Sequence, residues 1–324
     1  MDDERASAWL YRRYGGIDVL ELGPLARPRP GAADVVVRVV AAALNPKDAL
    51  FRKGRFKIVS GRRFPKFVGV DFAGEVVAAG ARSDLAAGTR VFGALDEWRF
   101  VRGTVATVVL AHAEEVAPMP EGLAFTDAAS LPLAGLTALQ ALRDLPAPAV
   151  RPGAGWRVVV NGAAGGVGTL AIQIGVALGA EVTAICGSRN LDFCRSLGAG
   201  DAFAHDVGDP LAGHTWDVFF DVFGNRSFGA VRRNLSPSGV YISTVPSLVT
   251  ALDAARTLLS RRRARPVRVK ARRGDLVQLA ALWRDGKLRP VIDRIVGMAE
   301  VPEAFRHLET KHARGKIVVR VCDG

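Results

Sequence analysis

The stretch Trp156-Arg157-Val158-Val159-Val160-Asn161-Gly162-Ala163-Ala164-Gly165-Gly166-Val167-Gly168-Thr169-Leu170 decides the fold. Its first six residues read as an apolar β-strand. From Thr169 onward, Leu170, Ile174 and Leu178 recur on one helical face, and Gly179 is a stop. Between strand and helix, Ala163-x-Gly165-x-x-Gly168 is a G-x-G-x-x-G turn with alanine in first place. The first position makes the tight turn, the second lets backbone approach a pyrophosphate, and the third lets the helix pack on the strand. The helix start then offers free N–H groups to phosphate. Ala163, Ala164, Gly165, Gly166, Val167 and Gly168 are therefore candidate cofactor-binding residues. The alternative is a tight strand-to-helix turn with no ligand. Residues 158–180 carry no charge and could span a bilayer by length alone. The glycine turn at their centre and the unlike periods of the flanks favour strand, turn and buried helix, with no membrane span.

Working outward, a second strand is expected at 181–186, a helix at 190–197 closed by Gly198, and further strands at 201–205, 217–222 and 239–245. Strands alternating with helices predict a parallel doubly wound sheet buried on both faces, an α/β fold. The first third is β-rich instead, with strands expected at 34–44, 68–79, 89–93 and 101–111. Near the end, Leu276, Leu279, Ala280 and Trp283 keep helical spacing. An extended stretch at 289–296, a short helix at 302–308 and a strand at 316–321 follow.

A length of 324 residues suits about two domains. With 49% hydrophobic and 23% charged residues, disordered, collagen-like and coiled-coil classes are excluded. Three cysteines cannot pair completely and are too few for a disulfide scaffold, so a reducing compartment, the cytoplasm, is expected. Asp2, Asp3 and Glu4 directly after Met1 argue against a secretory signal. Lys and Arg outnumber Asp and Glu by 44 to 32, and this surplus attracts anions. It concentrates at 256–273, where Arg261, Arg262, Arg263, Arg265, Arg268, Lys270, Arg272 and Arg273 occur with no acid among them. Such a block is either a solvated loop or an anion-attracting surface.

The end of the second strand bears on cofactor choice. NAD-selective sites place Asp or Glu there for the ribose 2′-hydroxyl. This chain has Ile185-Cys186-Gly187-Ser188-Arg189-Asn190, with an arginine and no carboxylate. A guanidinium binds a 2′-phosphate bidentately, Ser188 can donate a hydroxyl, and the next helix start adds a favourable dipole. NADPH is the expected cofactor. The same residues are also compatible with a helix cap and a surface arginine.

These residues resemble a known family. Asn161 to Gly168 looks like the cofactor turn of the medium-chain dehydrogenase/reductase superfamily, and the whole chain resembles its zinc-independent quinone oxidoreductase branch. Leu44-Asn45-Pro46-Lys47-Asp48, Gly69-Val70-Asp71-Phe72-Ala73-Gly74, Leu131-Pro132-Leu133-Ala134-Gly135-Leu136-Thr137-Ala138 and Gly315-Lys316-Ile317-Val318-Val319 recur in family order. The resemblance implies a Rossmann NADP-binding domain at 131–270 and a GroES-like β-barrel catalytic domain. The latter would be built from 1–130 and completed by a return segment at 271–324. It also implies a cleft for nicotinamide, a small-molecule substrate and a homodimer. Zinc-dependent relatives place a cysteine near position 45 and a histidine near position 70. Asn45 and Val70 stand there, Cys186, Cys194 and Cys322 lie elsewhere, and no metal is expected.

The resemblance carries roles to single residues. Asn45 and Asp48 are the expected catalytic pair, Asn45 bonding substrate or cofactor and Asp48 orienting it. Helix capping, with Pro46 at the first helical position, also explains their spacing. A family tyrosine is replaced by Phe51 or Phe56, which leaves water, a substrate hydroxyl or Lys47 as the proton source. Thr137, His205, Phe223, Ser243 and Lys316 join Ser188 and Arg189 as expected cofactor contacts. The implied reaction is hydride transfer from NADPH to a quinone or α,β-unsaturated carbonyl, with enoyl-thioester reduction as the alternative. From a different class, a nucleotide-binding protein could act through its basic face on nucleic acid or an acidic partner. No RNA-recognition signature, zinc finger or aromatic platform supports nucleic acid.

Overall fold

A computed structural model of the chain describes residues 6–146, 155–245 and 247–322. The acidic start at 2–4, read as evidence against a signal, lies outside them. The fold divides into two compact units. One comprises residues 1–133, 270–281 and 290–324, the other 134–269 and 282–289.

The second unit holds a six-stranded sheet. Its order is Asp201–Ala204, Ala180–Cys186, Trp156–Asn161, Trp216–Asp221, Leu235–Ser243 and Arg263–Pro266, every neighbour parallel. Numbered along the chain this is 3-2-1-4-5-6, the doubly wound order, whose ligand edge lies at the carboxyl ends of the strands. The expected α/β class is thus observed. Val158, Val159 and Val160 are fully buried, as a strand flanked by neighbours and covered on both faces requires. The arginine block is not one loop: Arg263–Pro266 is the edge strand, preceded by the helix Leu248–Arg256.

In the first unit the valine-rich run Asp34–Leu44 is a strand of eleven residues and the spine of a seven-stranded sheet. Along one side it pairs with Asp71–Ala79. Along the other it pairs first with Val108–His112 through residues 34–38, then with Lys316–Arg320 through residues 41–44. The carboxyl-terminal strand Lys316–Arg320 thereby enters the sheet formed by the first third of the chain.

Two expected strands are shorter than their apolar patterns. The run at 68–79 becomes regular only at Asp71, because Gly69 takes a positive φ of 87°. Its Cβ would also collide with Thr104 and Val105. The run at 101–111 is a strand only over Val108–His112. Upstream, its backbone crosses to other strands, Val105 N–H donating to Val68 O and Thr107 N–H to Ser7 O. Alternation in sequence registered burial there, not a continuous ladder. No described helix is long and apolar enough to cross a membrane.

Candidate active site

The glycine turn follows the strand Trp156–Asn161 and opens the helix Gly166–Ala177. Gly162 has φ 89°, and the N–H groups of Gly162 and Ala163 both donate to Ile185 O, at 3.0 and 3.1 Å. The turn is therefore tied to the neighbouring strand. A Cβ on Gly168 would lie 2.2 Å from Gly162 O, so glycine there is required by close packing. A Cβ on Gly165 would meet nothing nearer than Gly162 O at 3.6 Å. That open position, beside the unpaired first N–H groups of a helix, is the cradle a pyrophosphate needs. Ala163 is turned into the core, while Ala164, Gly165, Gly166 and Val167 stay partly exposed.

Below the turn, Asn161 Nδ2 donates to Asp221 Oδ1 and Asn225 Oδ1, both at 2.8 Å. Asp221 is fully buried and also accepts from Gly224 N, Arg226 N and the Tyr241 hydroxyl. It holds the loop carrying Phe223, which is exposed and packs beside Gly162. Sequence inspection singles out Phe223 but not Asp221. The signal for Asp221 is nonetheless present: a carboxylate ending a buried parallel strand must collect donors.

Ser188, Arg189 and His205 come together at the ends of adjacent strands. None of the three is buried, His205 N–H donates to Cys186 O, and the His205 ring lies near Gly187. Asp206, which the sequence reading passes over, joins them. It accepts both the Ser188 N–H and the Ser188 hydroxyl at 2.9 Å, and these bonds hold its carboxyl below the ordinary range. The Ser188 hydroxyl is therefore committed to a carboxylate. Ser243 is buried at the end of its strand and accepts Val245 N–H at 3.2 Å. Thr137 is buried on the helix Pro132–Asp144.

In the other unit, strand register assembles a polar cluster. Ile317 lies opposite Leu44 and Asp71 opposite Ala43, so Lys316, Asn45 and Asp71 meet at one end of three adjacent strands. Lys316 Nζ donates to Asn45 Oδ1 at 2.5 Å and to Asp71 Oδ2 at 2.9 Å. Asn45 Nδ2 donates to Asp71 Oδ2 at 3.0 Å and to Ala43 O at 3.3 Å. Asp71, fully buried, accepts Leu133 N–H on its other oxygen at 2.7 Å. Lys316, expected at the cofactor, thus belongs to the Asn45 cluster. Asp48 does not orient the Asn45 side chain: its Oδ2 accepts the Asn45 backbone N–H at 2.8 Å, as a helix cap does. Lys316 and Asp71 orient it.

The second oxygen of Asp48, Oδ1, is buried with no partner. Burial, opposed by the Asn45 N–H and reinforced by Asp71, pushes its carboxyl up to about 7. Next to it, Lys47 Nζ donates to Glu97 O at 2.9 Å and lies 4.5 Å from the centre of the Trp98 ring, with Phe100 and Phe51 at 5.6 and 5.8 Å. Burial pulls this ammonium below the ordinary lysine range.

Residues 31–121 match the family described as the alcohol dehydrogenase GroES-like domain, and residues 192–319 the family described as zinc-binding dehydrogenase. A chloroplast envelope quinone oxidoreductase homolog of Arabidopsis thaliana is 31% identical, over 95% of this chain and 96% of that protein. A trans-enoyl reductase of Aspergillus terreus is 32% identical, over 90% and 87%. The structure of the quinone oxidoreductase from Coxiella burnetii superposes with a TM-score of 0.89 at 30% identity, covering 98% of this chain and all of that one.

The chain belongs to the medium-chain dehydrogenase/reductase superfamily, in its quinone oxidoreductase-like branch. It is an oxidoreductase, and the open turn at Gly165 fits the nicotinamide dinucleotide of this superfamily. Among the described residues no group of three His, Cys, Asp or Glu side chains is arranged to hold a metal. Between Asn45 Oδ1 and Asp71 Oδ2 sits the Lys316 ammonium, whose charge a metal ion would have to displace.

Proposed function

We propose that this oxidoreductase uses NADPH to reduce a quinone or an α,β-unsaturated carbonyl without a metal. The observation that carries the reading is the ammonium at the Asn45 position, where zinc-dependent chemistry would need ligands. When bound, the nicotinamide supplies a hydride. Reduction of either substrate takes up the equivalent of one hydride and one proton, so the protein must hold a proton donor and balance the charge that develops on the carbonyl oxygen.

The chain's own residues then manage charge and proton. Of the three proton sources considered, Lys47 is best supported. Its ammonium sits on a half-exposed tryptophan face, donates to a single backbone carbonyl, and is weakened as a base by burial. Lys316 contributes fixed positive charge, and Asp71 keeps Asn45 and Lys316 in register. Arg189 and His205 support the 2′-phosphate assignment, whereas the Ser188 hydroxyl is taken up by Asp206. Asp206 is the observation on the other side, since a carboxylate there suits a ribose hydroxyl.

Enoyl-thioester reduction is the second reading, favoured by the likeness to a trans-enoyl reductase. At the start of the helix Leu248–Arg256, Leu248 is 84% and Val249 57% exposed, apolar surface available for the proposed homodimer. Three free cysteines accord with a cytoplasmic site. The test is an NADPH-oxidation screen over quinones, enones and enoyl thioesters with Lys47→Met and Asn45→Ala alongside. Turnover of at least one class, with kcat lowered more than KM is raised in Lys47→Met, is the expected result. No turnover of any class would overturn the assignment.

A further inference from the structure

The parallel sheet has a second edge, and a basic pocket sits on it. A cavity of about 560 Å³ is lined by Arg232, Arg256, Arg261 and Arg262, with Phe228 and Pro237 beside them. Arg232 and Pro237 lie around the amino-terminal end of the strand Leu235–Ser243. Arg256 ends the helix Leu248–Arg256, and Arg261 and Arg262 lead into the strand Arg263–Pro266. The glycine turn follows the carboxyl end of its own strand, so the two features occupy opposite edges, roughly 20 Å apart for a strand of ordinary length. This pocket cannot be the pyrophosphate cradle.

Four guanidiniums line the cavity and no carboxylate does. Arg232, Arg256 and Arg261 are in no ion pair among the described residues. The walls are nevertheless built rather than loose. Arg262 Nε is held by two backbone carbonyls, Leu235 O at 3.0 Å and Ser236 O at 3.1 Å, which leaves its terminal nitrogens for the cavity. The Thr257 hydroxyl donates to Asp253 O at 2.6 Å and accepts Ala264 N–H at 2.9 Å, fastening the helix end to the edge strand. Arg263 Nε donates to Ser260 O, which steadies the turn between them. Four like charges gathered by fixed backbone repel one another, and an anion relieves that repulsion. Guanidinium forks match phosphate oxygens in pairs. The volume exceeds what one phosphate fills and falls in the range of small-molecule sites. The Phe228 ring and Pro237 supply apolar wall for the organic part.

We infer that this edge of the sheet is a second binding site, separate from the cofactor turn, for a phosphorylated organic molecule. The inference stands independently of whether the substrate is a quinone, an enone or an enoyl thioester.

The probe is inorganic pyrophosphate, titrated calorimetrically into the full chain with nicotinamide cofactor saturating, so that the glycine turn is filled. Binding should weaken at least about tenfold in the double variant Arg256→Ala/Arg261→Ala, which removes two charge-assisted contacts. It should stay unchanged in Arg233→Ala, an exposed neighbour that does not line the cavity. A second arm sediments the protein with phosphatidylcholine vesicles, with and without phosphatidylglycerol. Variant-sensitive binding to the anionic vesicles alone identifies a lipid headgroup as the source of the phosphate, and variant-sensitive pyrophosphate binding identifies a soluble one. Equal losses in Arg233→Ala and the double variant would reduce the site to diffuse surface charge and overturn it. So would the absence of binding to both probes. Circular dichroism and unchanged NADPH oxidation verify that the double variant is folded.

Discussion

Replacing Asp48 by asparagine tests the proton held in the buried end of the first unit. Burial raises the Asp48 carboxyl from 3.8 to about 7, and its Oδ1 has no partner. In the folded chain it therefore stays protonated up to about neutrality, whereas in the unfolded chain it ionises above ~3.9. Between those limits the folded state binds the extra proton, so stability falls as pH rises. The slope is ~1.4 kcal/mol per pH unit, and the loss between about pH 5 and about pH 8 is ~3 kcal/mol. Above that range both states are ionised and the contribution is flat. An asparagine at this position cannot ionise, yet its amide oxygen can still accept the Asn45 N–H now taken by Oδ2. Urea unfolding followed by tryptophan fluorescence, across that pH range, should show the variant gaining on wild type by ~3 kcal/mol. The difference between the two proteins is the informative quantity, because other titrating groups are common to both. A difference that stays constant with pH would refute the buried proton.

The other expected outcomes rest on contacts within each of the two units. Lys316→Met leaves Asp71 buried without its cation and should cost ~3–5 kcal/mol in thermal or urea unfolding. Adding Asp71→Asn should recover most of that, and no recovery would mean that packing of the lysine stem, not charge, dominates. Gly168→Ala should destabilise by at least ~2 kcal/mol, because its Cβ meets backbone that cannot yield. Gly165→Ala should stay within ~0.5 kcal/mol of wild type, since Gly165 has φ −82° and open space, yet lose cofactor affinity in fluorescence titration. Equal affinity in Gly165→Ala would displace the pyrophosphate from this turn. Arg189→Ala should raise the KM for NADPH at least about tenfold and leave NADH little changed. Asp206→Asn should shift preference further towards NADPH by removing the carboxylate on Ser188.

The two units differ in how much of their chemistry was legible in one dimension. Around Trp156 to Leu178 the signals are local: an apolar strand, a turn restricted to small residues and a helical repeat, all within one strand-turn-helix unit. Backbone geometry there depends on near neighbours, so the sequence by itself determined the doubly wound sheet and the turn at its ligand edge. The shortened strand at Val108–His112 marks the limit, since apolar residues that pack against several different strands look in sequence like one continuous strand.

The Asn45 cluster was decided only by tertiary structure. Asp71 is 26 positions from Asn45 and Lys316 is 271 away. They meet because the strands Asp71–Ala79 and Lys316–Arg320 flank the same end of the strand Asp34–Leu44. A capping pattern in sequence accounts for Asp48 and the Asn45 backbone, and it is silent on the Asn45 side chain, whose direction follows a lysine and a carboxylate contributed by other strands. The same holds for Asp206 beside Ser188 and for the four guanidiniums around one cavity. Charge and hydrogen bonding act across space, and only the pairing of distant segments converts a list of ionisable residues into a site.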